Sequence, residues 1–175
     1  MFRVNDLVSY GTTGICRVEA VEHPDMPGID RDKLYYRLSP LRQNGVIYLP
    51  QESAESKMRP VITKQEAERL IDRIPSVRVH PVESARPQEL SGKYQQVIRQ
   101  QDCESLMELI VLLYSKKQTA QQTKRHFSRI DESYMKRAKE LLHEELGVAL
   151  GIPLEEVEGY IVARVEQIEA ESLRS

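Results

Sequence analysis

The stretch FRVNDLVSYGTTGICRVEAV, residues 2–21, decides the fold of the first part of the chain. Within it, residues 7–8 and 15–18 have the apolar and β-branched character of two short strands. The GTTG sequence at 11–14 predicts a turn between them, because glycine reaches positive φ without a Cβ penalty. Asn5-Asp6 is a turn signal directly ahead of the first strand. This order of elements predicts the opening of a small SH3-like barrel.

Two further segments, 34–38 and 46–49, supply the strands that such a sheet needs to close. The first alternates apolar and polar residues with the period of two that is typical of a half-buried strand. Asn44-Gly45, just before the second, predicts a type I′ hairpin turn. Residues 58–61 predict a short last strand, which we expect at a sheet edge because Pro60 has no N–H to donate.

These strand residues resemble the CarD/CdnL family of bacterial transcription regulators. Residues 2–11 (FRVNDLVSYG) resemble the family's F-x-x-G-D-x-V-x-Y-P opening, and residues 14–22 (GICRVEAVE) resemble its G-x-x-x-I-x-x-I-E segment. The two later strands resemble the family's Y-x-L and V-x-V-P segments. The sequence departs from the pattern at Asn5, where the family has glycine, and at Gly11, where it has proline. Both are turn positions, so we expect the backbone to meet the same need in another way.

The resemblance implies an α+β protein, with an N-terminal Tudor/SH3-like small β-barrel followed by a C-terminal all-helical bundle. It also implies docking on the β subunit of RNA polymerase, as for the same module of the transcription-repair coupling factor. Strand addition at a sheet edge is the expected mode, with residues 34–38 and 46–49 as the two candidate strands. Tyr48 stands where several relatives use an arginine, and the tyrosines are equally typical of residues that fill a small barrel. The candidate polymerase-binding residues are Tyr35, Arg37, Arg42, Ile47 and Tyr48.

Helical signals replace β signals after residue 60, which predicts a β domain at 1–60 and a helical domain at 61–175. Thr63-Lys64-Gln65-Glu66 matches a capping box at the start of the first helix. Residues 76–88 connect it to the next helix, either as an ordered connection or as a linker. The next helices are expected from about Pro87, at 103–115 behind an Asp102 cap, and at about 119–130. A longer helix is expected behind an Asp131 cap, and a last one from Pro153, with Leu154, Val157, Ile161, Val165 and Ile168 buried.

Composition and motifs argue against catalysis. Apolar residues make up 40% of the 175 residues, and no run of 18 apolar residues is present, so we expect a cytoplasmic protein without a membrane span. The sequence HEELG at 143–147 lacks the second histidine of a zinc motif, and Pro87 stands where a phosphate loop ending at Gly92-Lys93 needs glycine. We therefore expect no enzyme activity, cofactor, metal or small-molecule substrate.

A basic segment between residues 116 and 139 points to nucleic acid, although the net charge of the whole chain is −2. It holds eight lysines and arginines and two acidic residues, a field suited to phosphate contacts, although a solvated helix face has the same composition. Leu90 stands where promoter-opening relatives carry a tryptophan that wedges into the minor groove, but it also suits a helical core. The candidate DNA-binding residues are Leu90, Lys93, Lys116, Lys117, Lys124, Arg125 and Lys136.

The resulting hypothesis is a transcription regulator that holds polymerase through its β domain and modulates promoter open-complex stability through weak, sequence-independent DNA contacts of its helical domain. The first alternative is a polymerase-docking adaptor whose helical domain binds a protein, which the acidic C-terminal end and the missing tryptophan favour. A stand-alone SH3-like peptide binder is the second alternative.

Overall fold

The chain forms two compact units, Met1–Val61 and Ile62–Ser175, in a computed structural model that describes residues 1–79 and 86–174. The predicted connection at 76–88 therefore lies partly outside the described residues. The first unit is built mainly from strands and the described part of the second from helices, so the predicted α+β fold class is confirmed. No helix in the described ranges is long and apolar enough to cross a membrane.

The first unit is a curled, antiparallel, five-stranded half-barrel. Its strands are β1 (Leu7–Tyr10), β2 (Gly14–Glu22), β3 (Tyr35–Pro40), β4 (Ile47–Pro50) and β5 (Met58–Pro60). They follow the order β4-β3-β2-β1-β5, so the first four form a meander and β5 returns beside β1. Pro60 therefore lies in an edge strand, as predicted.

The core of this unit draws buried side chains from all five strands and from a short helix, α1 (Gln51–Lys57), that joins β4 to β5. Tyr36 fills its centre at 1% exposure, and the Tyr36 hydroxyl accepts a hydrogen bond of 3.2 Å from the N–H of Phe2. The rings of Phe2 and Tyr36 lie edge to face, with a centroid distance of 6.0 Å. The buried residues that form this core cluster are Val8, Cys16, Val18, Tyr36, Leu38, Leu49, Ala54 and Met58.

Helix α1 is absent from the sequence prediction. Its residues, QESAESK, consist mostly of helix formers, but they contain no apolar stripe. Ala54 alone is buried in it, so packing against the half-barrel needs a single small residue.

The two predicted turns of this unit have opposite outcomes. Gly11 and Gly14 have φ of 51° and 96° and enclose a single 3₁₀ turn, so the predicted glycine-bounded turn is confirmed. The type I′ turn at Asn44-Gly45 is wrong, because Asn44 is not among the described residues with positive φ. The β3 strand continues to Pro40, which pairs with Cys16, and six residues then lead to β4.

The described part of the second unit contains five α-helices, of which the last four are 14 to 22 residues long. They are α2 (Lys64–Arg73), α3 (Pro87–Gln100), α4 (Cys103–Gln122), α5 (Arg129–Leu150) and α6 (Leu154–Arg174). The Thr63 hydroxyl accepts a hydrogen bond from the N–H of Glu66 at 3.1 Å, which confirms the predicted cap of α2. Asp102 caps α4 as predicted, and its carboxylate accepts from the N–H of Glu104.

Two helix predictions in this unit are wrong. The separate helix expected at about 119–130 does not form, because no glycine or proline interrupts α4 before Gln122. Asp131 does not cap α5, since the hydroxyl of Ser128 accepts from the N–H of Asp131 at 3.1 Å and is the cap itself. Asp131 instead lies in the first turn of α5, where its side chain is buried.

The core of this unit lies among α2, α3, α4 and α5, and α6 is attached at its margin. In α6 only Val157 is fully buried, whereas Leu154, Ile161, Val165 and Ile168, which we expected in the core, are partly exposed. The helix therefore covers the bundle with one edge of its apolar stripe.

Candidate functional site

Strand β4 is an edge of the sheet in the first unit, with β3 as its neighbour. Strand β3 itself lies between β2 and β4, so the prediction that residues 34–38 offer an open edge is wrong. An extended segment of a partner can be added only beside an edge strand. This leaves β4 as the candidate of the two predicted strands.

A row of three side chains crosses the sheet beside this edge. Tyr48 of β4 is paired with Arg37 of β3, and Nη1 of Arg37 donates to Oε1 of Glu22 on β2 at 3.2 Å. The two charged side chains are 39% and 34% exposed, and Tyr48 is half-buried. The row therefore presents an aromatic ring and an ion pair. Because Glu22 already neutralises the guanidinium of Arg37, Arg37 is not a simple substitute for the arginine that several relatives have at the position of Tyr48.

The other predicted polymerase-binding residues differ in how much surface they expose. Tyr35 is only 9% exposed, which leaves little of its ring for a partner. Ile47 is partly buried and packs against the core of the first unit. Arg42 is exposed in the loop between β3 and β4. Tyr48, Arg37 and Arg42 are thus the members of the predicted set with accessible polar or aromatic groups.

The structure divides the eight cations of the basic segment into two groups. Three of them are held in ion pairs within the helical unit, which neutralises their charge locally. These pairs are Lys116 with Asp131 at 2.8 Å, Arg137 with Glu140 at 3.5 Å, and Lys139 with Glu158 at 3.3 Å. The remaining five form no ion pair within the described ranges of the chain, and we call them the basic cluster: Lys117, Lys124, Arg125, Arg129 and Lys136.

The basic cluster gathers around the connection between α4 and α5. Lys124 and Arg125 lie in this connection and are exposed. Nζ of Lys117, on α4, lies 5.9 Å from the ring centroid of Phe127 in the same connection. Arg129 and Lys136 are exposed on α5, seven residues apart, so two helical turns place them on one face. The positive end of the α5 dipole adds to the same field.

Among the predicted DNA-binding residues, Lys116 has a side chain that is mostly buried and held in an ion pair. Its side chain is 24% exposed, and that of its partner Asp131 is 6% exposed. Burial lowers the pKa of Lys116, but hydrogen bonds to Asp131 and Tyr94 outweigh burial and the pKa is raised overall. Lys116 is therefore a charged group paired inside the helical unit, which leaves less of its charge for a phosphate, and its assignment as a phosphate contact stays a prediction.

The two predicted residues on α3 are placed differently from each other. Leu90 is partly buried and packs against the helical core, so it does not project as a free wedge. It lines a groove of about 290 Å³ whose apolar wall includes Val97, Leu109 and Leu112. Lys93 is exposed at the margin of this groove. The placement therefore supports a core role for Leu90 and keeps Lys93 accessible.

Two residues of these surfaces are missing from the predicted set. Glu22 joins the Tyr48 row because a register shift between Val18 and Ala20 brings the end of β2 beside Arg37, which no local pattern indicates. Arg129 was part of the basic run, but its place on the face of Lys136 depends on where α5 begins. Among the described residues, no group of three or more metal-ligating side chains is assembled.

Comparison with known protein families bears on the first unit. Residues 2–62 match the family model described as the CarD-like/TRCF RID domain, which covers the half-barrel and α1. The resemblance of the strand residues is thereby confirmed. No curated protein matches the chain significantly. The matched family points to interaction with RNA polymerase for the β unit.

Proposed function

Residues 2–62 match the CarD-like/TRCF RID domain, and from this premise we propose that the chain is a CarD-like, non-catalytic regulator of bacterial transcription. The β unit docks on the β subunit of the polymerase. The helical unit contacts promoter DNA and changes the stability of the open complex. The domain match carries the polymerase part of the proposal, and the basic cluster carries the DNA part.

The β4 edge and the Tyr48 row support docking by strand addition. Main-chain groups at the free edge of β4 provide affinity, and side chains beside it provide specificity. Tyr48 offers a large ring at low entropic cost, which is typical of an interface anchor. The ion pair with Glu22 holds Arg37 in place next to that ring, so the two residues form one prepared contact surface.

Replacement of Tyr48 by alanine tests this surface. We expect binding to purified polymerase to weaken by about 1–2 kcal/mol, because an anchor ring is lost. Tyr114, a 53% exposed tyrosine of the helical unit, provides the matched control variant Tyr114→Ala, which is expected to bind normally. Binding is measured by calorimetry with polymerase core and with a fragment of its β subunit. Normal binding by a correctly folded Tyr48→Ala protein contradicts the assignment.

The basic cluster supports contact with the DNA backbone. Its five cations lack ion-pair partners within the described ranges, so they are available to phosphate groups. Such contacts are sequence-independent and weaken with salt. Docking on polymerase raises the local concentration of DNA, so weak contacts suffice. The open complex is favoured only to the extent that the protein binds it more tightly than the closed one.

Charge reversal within the basic cluster tests the DNA contact in the full chain. Lys124, Arg125 and Lys136 are replaced together by glutamate, and Lys64, Arg69 and Arg174 are replaced in a control protein. All six residues are exposed. With glutamate in both proteins, the net charge changes equally, but on different surfaces. We expect the first protein alone to lose DNA binding and its effect on open-complex lifetime, with polymerase binding intact. Equal lifetimes for wild type and first variant, where wild type changes them, contradict the DNA role.

One observation favours the adaptor as a second function. The outward stripe of α6 exposes Val162 (49%) and Leu173 (88%) together with Glu166 and Glu169, which suits a basic, apolar segment of a protein more than it suits DNA. On this hypothesis, replacement of Val162 and Leu173 by serine abolishes a helical-unit function that charge reversal in the basic cluster leaves intact.

A further inference from the structure

Three side chains from three helices meet in the interior of the helical unit. The hydroxyl of Tyr94 on α3 donates to Oδ1 of Asp131 on α5 at 2.8 Å. Nζ of Lys116 on α4 lies 2.8 Å from Oδ2 of the same carboxylate and donates to the Tyr94 hydroxyl at 3.1 Å. Each member therefore contacts the other two, and one carboxylate binds both partners.

The same network adds polar links to the limited apolar packing of α3 against its neighbours. Tyr94 and Ile98 are the only residues of α3 that are buried, all of α3 being described. The hydroxyl of Tyr134 on α5 makes two further contacts with α3, at 3.0 Å to Ser91 and at 3.2 Å to Gln95. The rings of Tyr94 and Tyr134 lie 5.3 Å apart. By contrast, α4 and α5 each bury five residues or more, most of them apolar.

The burial of the charges makes the network sensitive to loss of either partner. An ion pair taken out of water contributes little net stability, but removal of one member leaves an uncompensated buried charge. Asp131 is 6% exposed, so loss of the Lys116 ammonium would leave its carboxylate with the Tyr94 hydroxyl as the remaining side-chain donor that the structure shows. Removal of both charges avoids this cost.

We propose that Lys116 and Asp131 are positioning residues, whose buried ion pair holds α3, through Tyr94, in a fixed place against α4 and α5. Lys93 directly precedes Tyr94, so fixing Tyr94 also fixes the position of Lys93 on α3. Lys93 is thereby held at a set distance from the basic cluster, whose Lys117 and Arg129 lie within two residues of Lys116 and Asp131 in sequence. Only the consequence for DNA rests on the proposed function. The positioning of α3 itself stands on the contacts of the network.

Hydrogen exchange along α3 tests the positioning role in the full chain. In Lys116→Met we expect the amides of α3 to exchange at least about tenfold faster, while those of α4 and α5 change less. Lys117→Met is the matched control, because Lys117 is the adjacent lysine but contacts the Phe127 ring instead of Asp131. The double variant Lys116→Met with Asp131→Asn is expected to restore slow exchange. Unchanged exchange in Lys116→Met overturns the proposal.

A milder variant keeps the test decisive if Lys116→Met does not fold. Tyr94→Phe removes one hydroxyl and leaves the ion pair, so only the link to α3 is lost. Exchange along α3 is then expected to rise about fivefold, the effect of one lost hydrogen bond. An α3 that exchanges as slowly as in wild type overturns the proposal.

The salt dependence of DNA binding separates positioning from direct contact. Lys117→Met is expected to reduce the slope of log affinity against log salt by about one unit, as for a lost phosphate contact. Lys116→Met is expected to weaken binding without that change in slope. A full unit lost in Lys116→Met makes Lys116 a phosphate contact and overturns the proposal. Fast exchange of α3 with wild-type DNA binding in every variant, Lys117→Met included, overturns the proposed DNA function and leaves the positioning role standing.

Discussion

At the scale of single residues, Asn5 stands at a turn position where the CarD/CdnL pattern has glycine. Its φ is 75°, in the left-handed region that asparagine tolerates better than other residues with a Cβ. The N–H of Asn5 donates to the carbonyl of Val18 at 2.7 Å, and the N–H of Val18 donates to the carbonyl of Asp6 at 2.9 Å. The turn before β1 is thus joined to β2 by two backbone hydrogen bonds, with asparagine at the positive-φ position.

The conformation of Asn5 predicts the effect of two substitutions. We expect Asn5→Ala to lower the free energy of unfolding of the β unit by about 1 kcal/mol, because alanine pays the full Cβ penalty at positive φ. Asn5→Gly is expected to be nearly neutral. Asn44→Ala is the control, since the φ of Asn44 itself is not positive. Denaturant unfolding measures the three values, and an Asn5→Ala protein as stable as the Asn44→Ala protein contradicts the argument.

At the scale of elements, α5 approaches α6 closely at Gly147, and a partly buried imidazole lies one turn earlier on α5. A Cβ added at Gly147 would lie 3.2 Å from the carbonyl oxygen of Ile152 and from a methyl group of Val157, so glycine brings the two helices together. One turn earlier, burial lowers the pKa of His143 below its usual value of 6.5, while Glu158 raises it and Lys139 lowers it to smaller degrees. His143 is therefore neutral in the folded protein near neutral pH.

The lowered pKa of His143 predicts acid sensitivity of the helical unit. Because the unfolded chain binds a proton more readily than the folded one, the contribution to stability is present above about pH 6.5 and is lost as the pH falls. We expect the Tm of wild type to fall more than that of His143→Gln between pH 7.5 and about 5.5. His126, which is exposed, provides the control His126→Gln. Parallel curves for His143→Gln and wild type contradict the prediction.

At the scale of the whole molecule, each unit has its own core. The buried cluster of the first unit contains no residue beyond Met58, and that of the second begins at Ala67. The two clusters share no residue, and the compact units meet in sequence between Val61 and Ile62. Whether the predicted domains, 1–60 and 61–175, also fold independently stays a prediction that expression of the separate fragments tests.

Separate expression tests this division. A fragment of residues 1–62 is expected to unfold cooperatively and to show a circular dichroism spectrum dominated by β structure with one short helix. A fragment of residues 61–175 is expected to be helical. A first fragment that is unfolded, or one that is largely helical, contradicts the division at this position.

Local chemistry explains why much of this architecture was predictable. Turn glycines, the Thr63 and Asp102 caps, the proline in the edge strand and the alternation in β3 act within a few residues, so their outcome is the same in any fold that accepts them. The family resemblance of the first unit has the same origin, because strand and turn residues specify that sheet.

Tertiary structure alone decided which charged and aromatic residues are available for binding. The sequence indicated eight equivalent cations, but only packing of α4 against α5 turns Lys116 toward Asp131 and leaves Lys124 exposed. Likewise, a register shift in β2 brings the Glu22 side chain into an ion pair with Arg37, and β3 lies between β2 and β4 instead of at an edge. Ion pairing and burial depend on residues distant in the chain, so composition determined the charge of this protein and the fold determined where that charge is free.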